Sequence, residues 1–196
     1  GEIKMAEVVR MLSQKTNGEA CIIADVGQHQ MIAARYYQFK NPHSYIASGG
    51  LGTMGFAIPA SFGAKKGAPD REVVAFIGDG CFQMTIQELG TIAQSGLGVK
   101  LIILNNNYLG MVRQWQQLFF DKRYSFVELQ NPDFVTIAKG FGIAGHTCSD
   151  RENLSDSLDT LLKSDKAYLL EVIVEKEENV FPMVPAGASV ADIRLD

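Results

Sequence analysis

Two polar clusters stand out by type and spacing: Gly78-Asp79-Gly80 and Asn105-Asn106-Asn107. Each closes a short apolar run, Val73 to Ile77 and Leu101 to Leu104. Asp79 and Asn106 are 27 positions apart (106 − 79), about one strand–helix–strand repeat. In an open parallel sheet such a repeat delivers both ends to the carboxyl edge, where ligands bind. One carboxylate and one amide oxygen then share a rim. That donor set suits Mg2+, which takes one or two carboxylates and completes its octahedron with phosphate oxygens and water. Gly80 lets backbone approach a phosphate closely, and a helix opening near Phe82 aims its first N–H groups at the same anion. Alone, Gly-Asp-Gly reads equally well as a turn and Asn-Asn as a helix cap. Together, at strand ends with this spacing, they point to a metal ion holding a diphosphate.

The elements that must position these groups alternate along the chain. Apolar residues at Ile3, Ala6, Val9 and Leu12 mark a helix that stops at Asn17-Gly18. Ala20 to Ala24 is a buried-type strand ending at Asp25-Val26-Gly27, and Gln28-His29-Gln30 opens the next helix, through about Phe39. Gln28 and His29 therefore sit where a first strand delivers polar side chains to a phosphate. Gly50-x-Gly52-x-x-Gly55 formally matches a dinucleotide fingerprint. Tyr45 to Ala47 is short for the strand that should precede it, and Asp79 comes late for a ribose-binding acid. Nicotinamide binding is therefore disfavoured, and a glycine turn whose backbone meets a flat heterocycle is the alternative.

Helices are expected over Phe56 to Lys66 and over Gln83 to Ser95, the latter a crossover with Ile86, Leu89, Ile92 and Ala93 inward. Cys81 follows Gly80 at a helix N-terminus, a place that can lower a thiol pKa. It is read as a spacer whose backbone N–H matters. Met111 and Trp115, four apart, share a helix face. Phe119 to Ser125 reads as an aromatic-rich mobile segment. Asn131-Pro132-Asp133 caps a helix to about Phe141, which Gly140, Gly142 and Gly145 end. Glu152 to Lys163 is the last helix and Ala167 to Val174 the last strand. The alternation predicts a doubly wound, three-layer α/β domain with a mostly parallel sheet.

Gly78-Asp79-Gly80 with Asn105-Asn106 matches the thiamine diphosphate (ThDP) signature, and Asn107 to Gln116 narrows it. The chain resembles the C-terminal, diphosphate-binding domain of the catalytic subunit of the acetohydroxyacid synthase (acetolactate synthase) family. The resemblance runs from Asp25–Gln30 to Phe181–Gly187. It implies Mg2+ held by Asp79, Asn106 and the Tyr108 carbonyl, and diphosphate contacts from Gln28 and His29. Gly78, Gly80, Cys81 and Met111 join them around the cofactor. The Gly52 carbonyl and Met54 amide would bond the aminopyrimidine, with the Met54 side chain bending the cofactor. Trp115 would project into the substrate channel and favour 2-oxobutyrate as acceptor. The family condenses pyruvate with pyruvate or 2-oxobutyrate in branched-chain amino-acid biosynthesis.

The resemblance also places several parts elsewhere. A catalytic glutamate lies on an N-terminal domain of the neighbouring subunit, FAD binds a middle domain, and a homodimer or tetramer with a small regulatory subunit is expected. Residues 180–196 correspond to a lid over the cofactor, expected to be disordered without ligand. No catalytic residue is expected in this chain, and by itself it is expected to be inactive. Two other readings stay open: a carboligase or decarboxylase of glyoxylate carboligase or pyruvate oxidase type, and a non-catalytic nucleotide- or flavin-binding module.

At 196 residues, 46% apolar and 20% charged, the chain suits one domain, 1–196, with an ample core. Net charge is −4 without a basic cluster, which argues against nucleic acid. No apolar run reaches the roughly 18 residues of a membrane-spanning helix. Three widely spaced cysteines, Cys21, Cys81 and Cys148, fit neither a disulfide framework nor a zinc site. A reducing, cytoplasmic setting is expected. Gly1 in place of an initiator Met suggests a piece of a longer protein.

Overall fold

Val73–Gly78 (β3) and Lys100–Asn105 (β4), apolar through Val73–Ile77 and Leu101–Leu104, form the centre of the sheet, every residue of both buried. A strand covered on both faces needs such a run, because neither face meets water. The structure, a computed structural model, describes residues 1–195, so the last residue of the expected tail lies outside it. Cys21–Ala24 (β1) and Tyr168–Ile173 (β6) flank the central pair, and Tyr45–Ala47 (β2) and Ala144–Cys148 (β5) close the two edges. All neighbours pair in parallel, in the order β2-β1-β3-β4-β6-β5.

Met5–Lys15 (α1), Gln28–Tyr36 (α2) and Leu154–Lys163 (α8) pack on one face, over Val74, Phe76, Ile102 and Leu104. Ala57–Gly67 (α3), Glu88–Ser95 (α5) and Phe134–Gly140 (α7) pack on the other, over Val73, Ala75, Leu101 and Ile103. Alternate residues of one strand thus feed two cores. The doubly wound, three-layer architecture expected from the alternation is the one found. The chain leaves β1 for β2 on one side and returns to β3 on the other. This reversal opens a crevice at the carboxyl ends of β1 and β3, the usual ligand position in such sheets.

Several details differ from the sequence reading. The crossover is two helices, Asp79–Met84 (α4) and α5, broken at Thr85–Gln87. The Thr85 hydroxyl donates to the Gly55 carbonyl at 2.9 Å, drawing the chain out of helical register. Helix starts at Asp79 rather than near Phe82, and with six residues it offers local amides rather than a long dipole. Ala93, expected inward, is exposed.

Both edge strands escaped the apolar pattern. β2 has three residues, and β5 (Ala-Gly-His-Thr-Cys) is largely accessible and held by its ladder to β6. Phe119 to Ser125, expected to be mobile, is tied back. The Gln116 side chain accepts from the Ser125 N–H at 3.0 Å and donates to its carbonyl at 3.2 Å. The tail is also anchored at its root, where Val180 is buried and the Phe181 and Pro182 carbonyls accept from Arg35. Among the described residues no helix is long and apolar enough to cross a membrane.

Candidate metal and diphosphate site

β3 and β4 run in register to Gly78 opposite Leu104, so their next residues, Asp79 and Asn105–Asn106, emerge side by side at the carboxyl rim. Asp79 is 1% exposed. Burial pushes its carboxyl up to about 6, against hydrogen bonds from Asn131 and from the Gly80 and Asn107 backbone. A carboxylate placed this dry is poised for a cation. Asn106 is also buried, and its Oδ1 accepts the Tyr108 N–H at 3.2 Å. The turn that follows passes through Asn107 in the left-handed region (φ 56°). The Asn107 carbonyl accepts the Leu129 N–H at 2.8 Å, and the Leu109 carbonyl accepts the Arg113 N–H at 2.9 Å. Between them, the Tyr108 carbonyl receives no hydrogen bond among the described residues.

Three oxygens of different kinds, carboxylate, amide and carbonyl, thus belong to one turn-and-strand rim. No group of three or more His, Cys, Asp or Glu gathers as a metal cluster among the described residues. The rim therefore suits a hard ion whose remaining ligands are phosphate and water.

β1 supplies the opposite wall. His29 is buried, and its Nε2 accepts the Gly78 N–H at 3.1 Å. Burial lowers its pKa to about 4, with the Asp25 charge opposing. The ring is therefore neutral near pH 7, with its proton on Nδ1. A Cβ on Gly78 would stand 2.6 Å from His29 Cε1, so only glycine lets the ring close on β3. Gln28 lines the same cleft but is turned differently from expectation. Its Nε2 donates to Gln114 Oε1 at 3.0 Å and to the Glu178 carbonyl at 2.9 Å, and its buried Oε1 has no partner. Gln28 thus offers the cleft an acceptor, where a phosphate requires a donor.

Gly27, Met54, Gly78, Gly80, Cys81, Leu109 and Met111 complete the lining of one cleft with Gln28, His29, Asp79, Asn106 and Tyr108. Most of the residues singled out from the sequence therefore converge. Gly52 does not, since it lies on the exposed turn beside Leu51. Trp115 does not either. It is 40% exposed, packs on Phe119 with ring centroids 4.9 Å apart, and lines a separate shallow depression with Val112, Gln116 and Phe120. Cys81 departs from the chemistry its position suggested. Burial pushes the thiol pKa up, the Asp25 charge adds to this, and Sγ donates to the Val26 carbonyl. The thiol is inert filler in the lining of the cleft.

Three side chains have roles the sequence reading did not assign. Asp25, fully buried, accepts the Val26 and Gly55 N–H groups (both 2.9 Å) on Oδ1 and the Ala57 N–H (3.0 Å) on Oδ2. It thereby fastens the glycine turn bearing Met54 to the end of β1 and caps α3. Asn131 donates to Asp79 Oδ2 at 2.7 Å. The helix-cap role expected of its segment falls to Asp133, which accepts the Thr136 N–H at 2.8 Å.

Gln114, on the helix Gly110–Phe119 (α6), accepts the Val180 N–H at 2.9 Å and donates to the Val180 carbonyl at 3.2 Å. Gln114→Ala should free the tail root. Losing buried hydrogen bonds worth about 1.4 kcal/mol together opens it roughly tenfold more often. Limited proteolysis should then cleave beyond Glu178 about ten times faster, with the rest of the domain resistant.

Comparison with known proteins bears on this site. Residues 25–172 match the family described as "Thiamine pyrophosphate enzyme, C-terminal TPP binding domain". The acetolactate synthase isozyme 2 large subunit of Escherichia coli is 46% identical over 95% of this chain and 34% of its own length. The acetolactate synthase large subunit of Lactococcus lactis is 43% identical over 95% of the chain and 32% of its own length. Among solved structures, the thiamine diphosphate-dependent 4-hydroxybenzoylformate decarboxylase of Rhodococcus jostii superposes with a TM-score of 0.83 at 25% identity, over 91% of this chain and 34% of that one. The chain spans about a third of the length of the relatives it matches. It belongs to the thiamine pyrophosphate enzyme family, as that family's C-terminal cofactor-binding domain.

Proposed function

We propose that this chain is the ThDP- and Mg2+-binding domain of an acetolactate synthase, condensing pyruvate with pyruvate or 2-oxobutyrate for branched-chain amino-acid biosynthesis. The observation that carries the site is the trio of oxygens at one rim, with the Tyr108 carbonyl left unbonded between two bonded neighbours. The acceptor chemistry rests on the likeness to proteins named acetolactate synthase large subunit.

Asp79, Asn106 and the Tyr108 carbonyl would hold Mg2+, whose charge offsets both the buried carboxylate and a diphosphate. His29 Nδ1–H and the backbone of Gly78, Gly80 and Cys81 would meet the diphosphate. Gln28 would join them once its amide turns. Met54 and Met111 would wall the cofactor, and the Gly52 carbonyl would serve the ring from the exposed turn. ThDP supplies the electron sink for decarboxylating a 2-oxoacid. This chain's residues bind, orient and shield it. The ring-activating glutamate and FAD would come from parts outside this chain. A homodimer or tetramer, a small regulatory subunit and a cytoplasmic location complete the proposal.

Product analysis of the full-length enzyme tests it. Pyruvate plus 2-oxobutyrate should yield 2-aceto-2-hydroxybutyrate alongside 2-acetolactate, whereas acetate or free aldehyde alone would assign an oxidase or decarboxylase. A thermal shift with ThDP and Mg2+, absent with FMN or NAD, separates both from a nucleotide or flavin module. We place the acceptor channel along Trp115, whose depression shares Val112 with the cleft, so Trp115→Leu should lower the preference for 2-oxobutyrate over pyruvate about tenfold, the scale at which a pocket reads one methylene. The competition ratio of the two products measures it.

A further inference from the structure

Glu171 is the one charged residue of β6, it is buried, and it meets no cationic partner among the described residues. A carboxylate in such a place is costly unless its oxygens are hydrogen-bonded, and both are. Oε2 accepts the Thr147 hydroxyl at 2.8 Å, and Oε1 accepts from Asn105 Nδ2 at 2.7 Å. Asn105, the last residue of β4, is buried as well. Its Oδ1 accepts the Asn107 N–H at 3.0 Å and also accepts from Asn131 Nδ2 at 3.0 Å. Through one amide, β6 thus reaches into the turn that ends β4.

A carboxylate only accepts, whereas an asparagine amide accepts at one end and donates at the other. Glu171 therefore decides which way Asn105 faces, with its NH2 toward β6 and its oxygen toward the turn. Turned over, Asn105 would set oxygen against oxygen at Glu171 and its NH2 against the Asn107 N–H. With the oxygen inward, the Asn107 N–H is tied down where that residue adopts its left-handed conformation (φ 56°). Asn106 Oδ1 and the Tyr108 carbonyl flank that residue on the same turn. We propose that Glu171 is a positioning residue, which fixes the Asn105 amide and so holds the turn bearing the Asn106 and Tyr108 oxygens. It is not among the residues lining the cleft and touches neither ion nor cofactor. The proposal rests on the metal site assigned above, and it deepens that assignment by naming what sets the shape of its β4 half.

The test titrates Mg2+ into the full-length enzyme at fixed ThDP and follows cofactor binding by quenching of protein fluorescence, beside the melting temperature without metal or cofactor. Glu171→Leu, which fills the space without an acceptor, should raise the Mg2+ concentration for half-saturation about tenfold, the lower end of the effect of losing an outer partner of a metal site. Glu171→Gln should stay within about threefold of the parent. Its amide oxygen still accepts from Asn105, and its NH2 donates to Thr147, whose hydroxyl can accept. Asn105→Ser keeps an acceptor for the Asn107 N–H but gives up the reach to Glu171. It should shift half-saturation in the same direction as Glu171→Leu and serves if that variant folds poorly. A lower metal-free melting temperature with unchanged half-saturation would assign Glu171 a merely structural role and overturn the proposal. So would a Gln variant as impaired as the Leu variant. Asp79→Ala in the same assay keeps the two levels apart. Mg2+-dependent binding surviving that change refutes the metal site itself, whereas its loss alongside unchanged half-saturation in Glu171→Leu refutes only the proposal.

Discussion

Replacing Asp79 by Asn should make the metal-free domain more stable and the cofactor-loaded enzyme far weaker. The folded carboxyl titrates near 6 because it is buried, whereas an exposed aspartate titrates near 3.9. The unfolded chain therefore ionises first. Metal-free stability is highest below about pH 4, falls as pH rises from there through about 6, and levels off above, a loss of about 3 kcal/mol in all. Asn carries no charge and should abolish this slope, leaving the metal-free variant about 1–3 kcal/mol more stable at pH 7. It also removes the one carboxylate at the rim, so Mg2+-dependent ThDP affinity should fall on the order of 100-fold or more. In the wild type that affinity should drop about tenfold per pH unit below about 6, where a proton competes with the ion. Denaturant unfolding across pH, with and without Mg2+ and ThDP, measures each part. A less stable metal-free variant would contradict the assignment of Asp79 as a strained ligand.

Asp25→Ala should have the largest cost in stability. Three backbone N–H groups, of Val26, Gly55 and Ala57, lose a charged acceptor at a fully buried position. Each such bond to a charged group is worth about 1.5–3 kcal/mol, and water reaching the gap recovers part of it. A net loss of about 3–5 kcal/mol is expected, with Asp25→Asn nearly as costly because its amide would present hydrogens to donors. The glycine turn would detach from β1 while the sheet stays paired. Hydrogen exchange should therefore rise first at Gly55 and Ala57, and ThDP binding should weaken through the misplaced Met54. A variant within 0.5 kcal/mol of the parent would contradict this role.

What the sequence revealed of this site follows from distance along the chain. β3, β4 and the two polar clusters were legible because a doubly covered strand must be continuously apolar and its end abruptly polar. β2 and β5 were not, since edge strands that face solvent need no such run and are defined by ladders to partners 23 and 24 positions away (Ile22 to Tyr45; Ala144 to Tyr168). The break at Thr85 carries no Gly or Pro; it comes from a bond to Gly55, 30 residues upstream. Asp25 and Asn131 likewise act across 30 and 52 residues; the sequence put one at a strand end and the other in a helix cap, but not against these partners. Pattern reading found the oxygens proposed to meet the ion and missed the side chains that hold them in place.

The most direct measurement is a crystal structure of the full-length enzyme with ThDP and Mn2+ in place of Mg2+, the ion located by its anomalous signal. The expected result is one peak within about 2.0–2.3 Å of Asp79 Oδ1, Asn106 Oδ1 and the Tyr108 carbonyl, bridged to the diphosphate. A peak bonded to other residues, or a diphosphate bound with all three oxygens left unliganded, would contradict it.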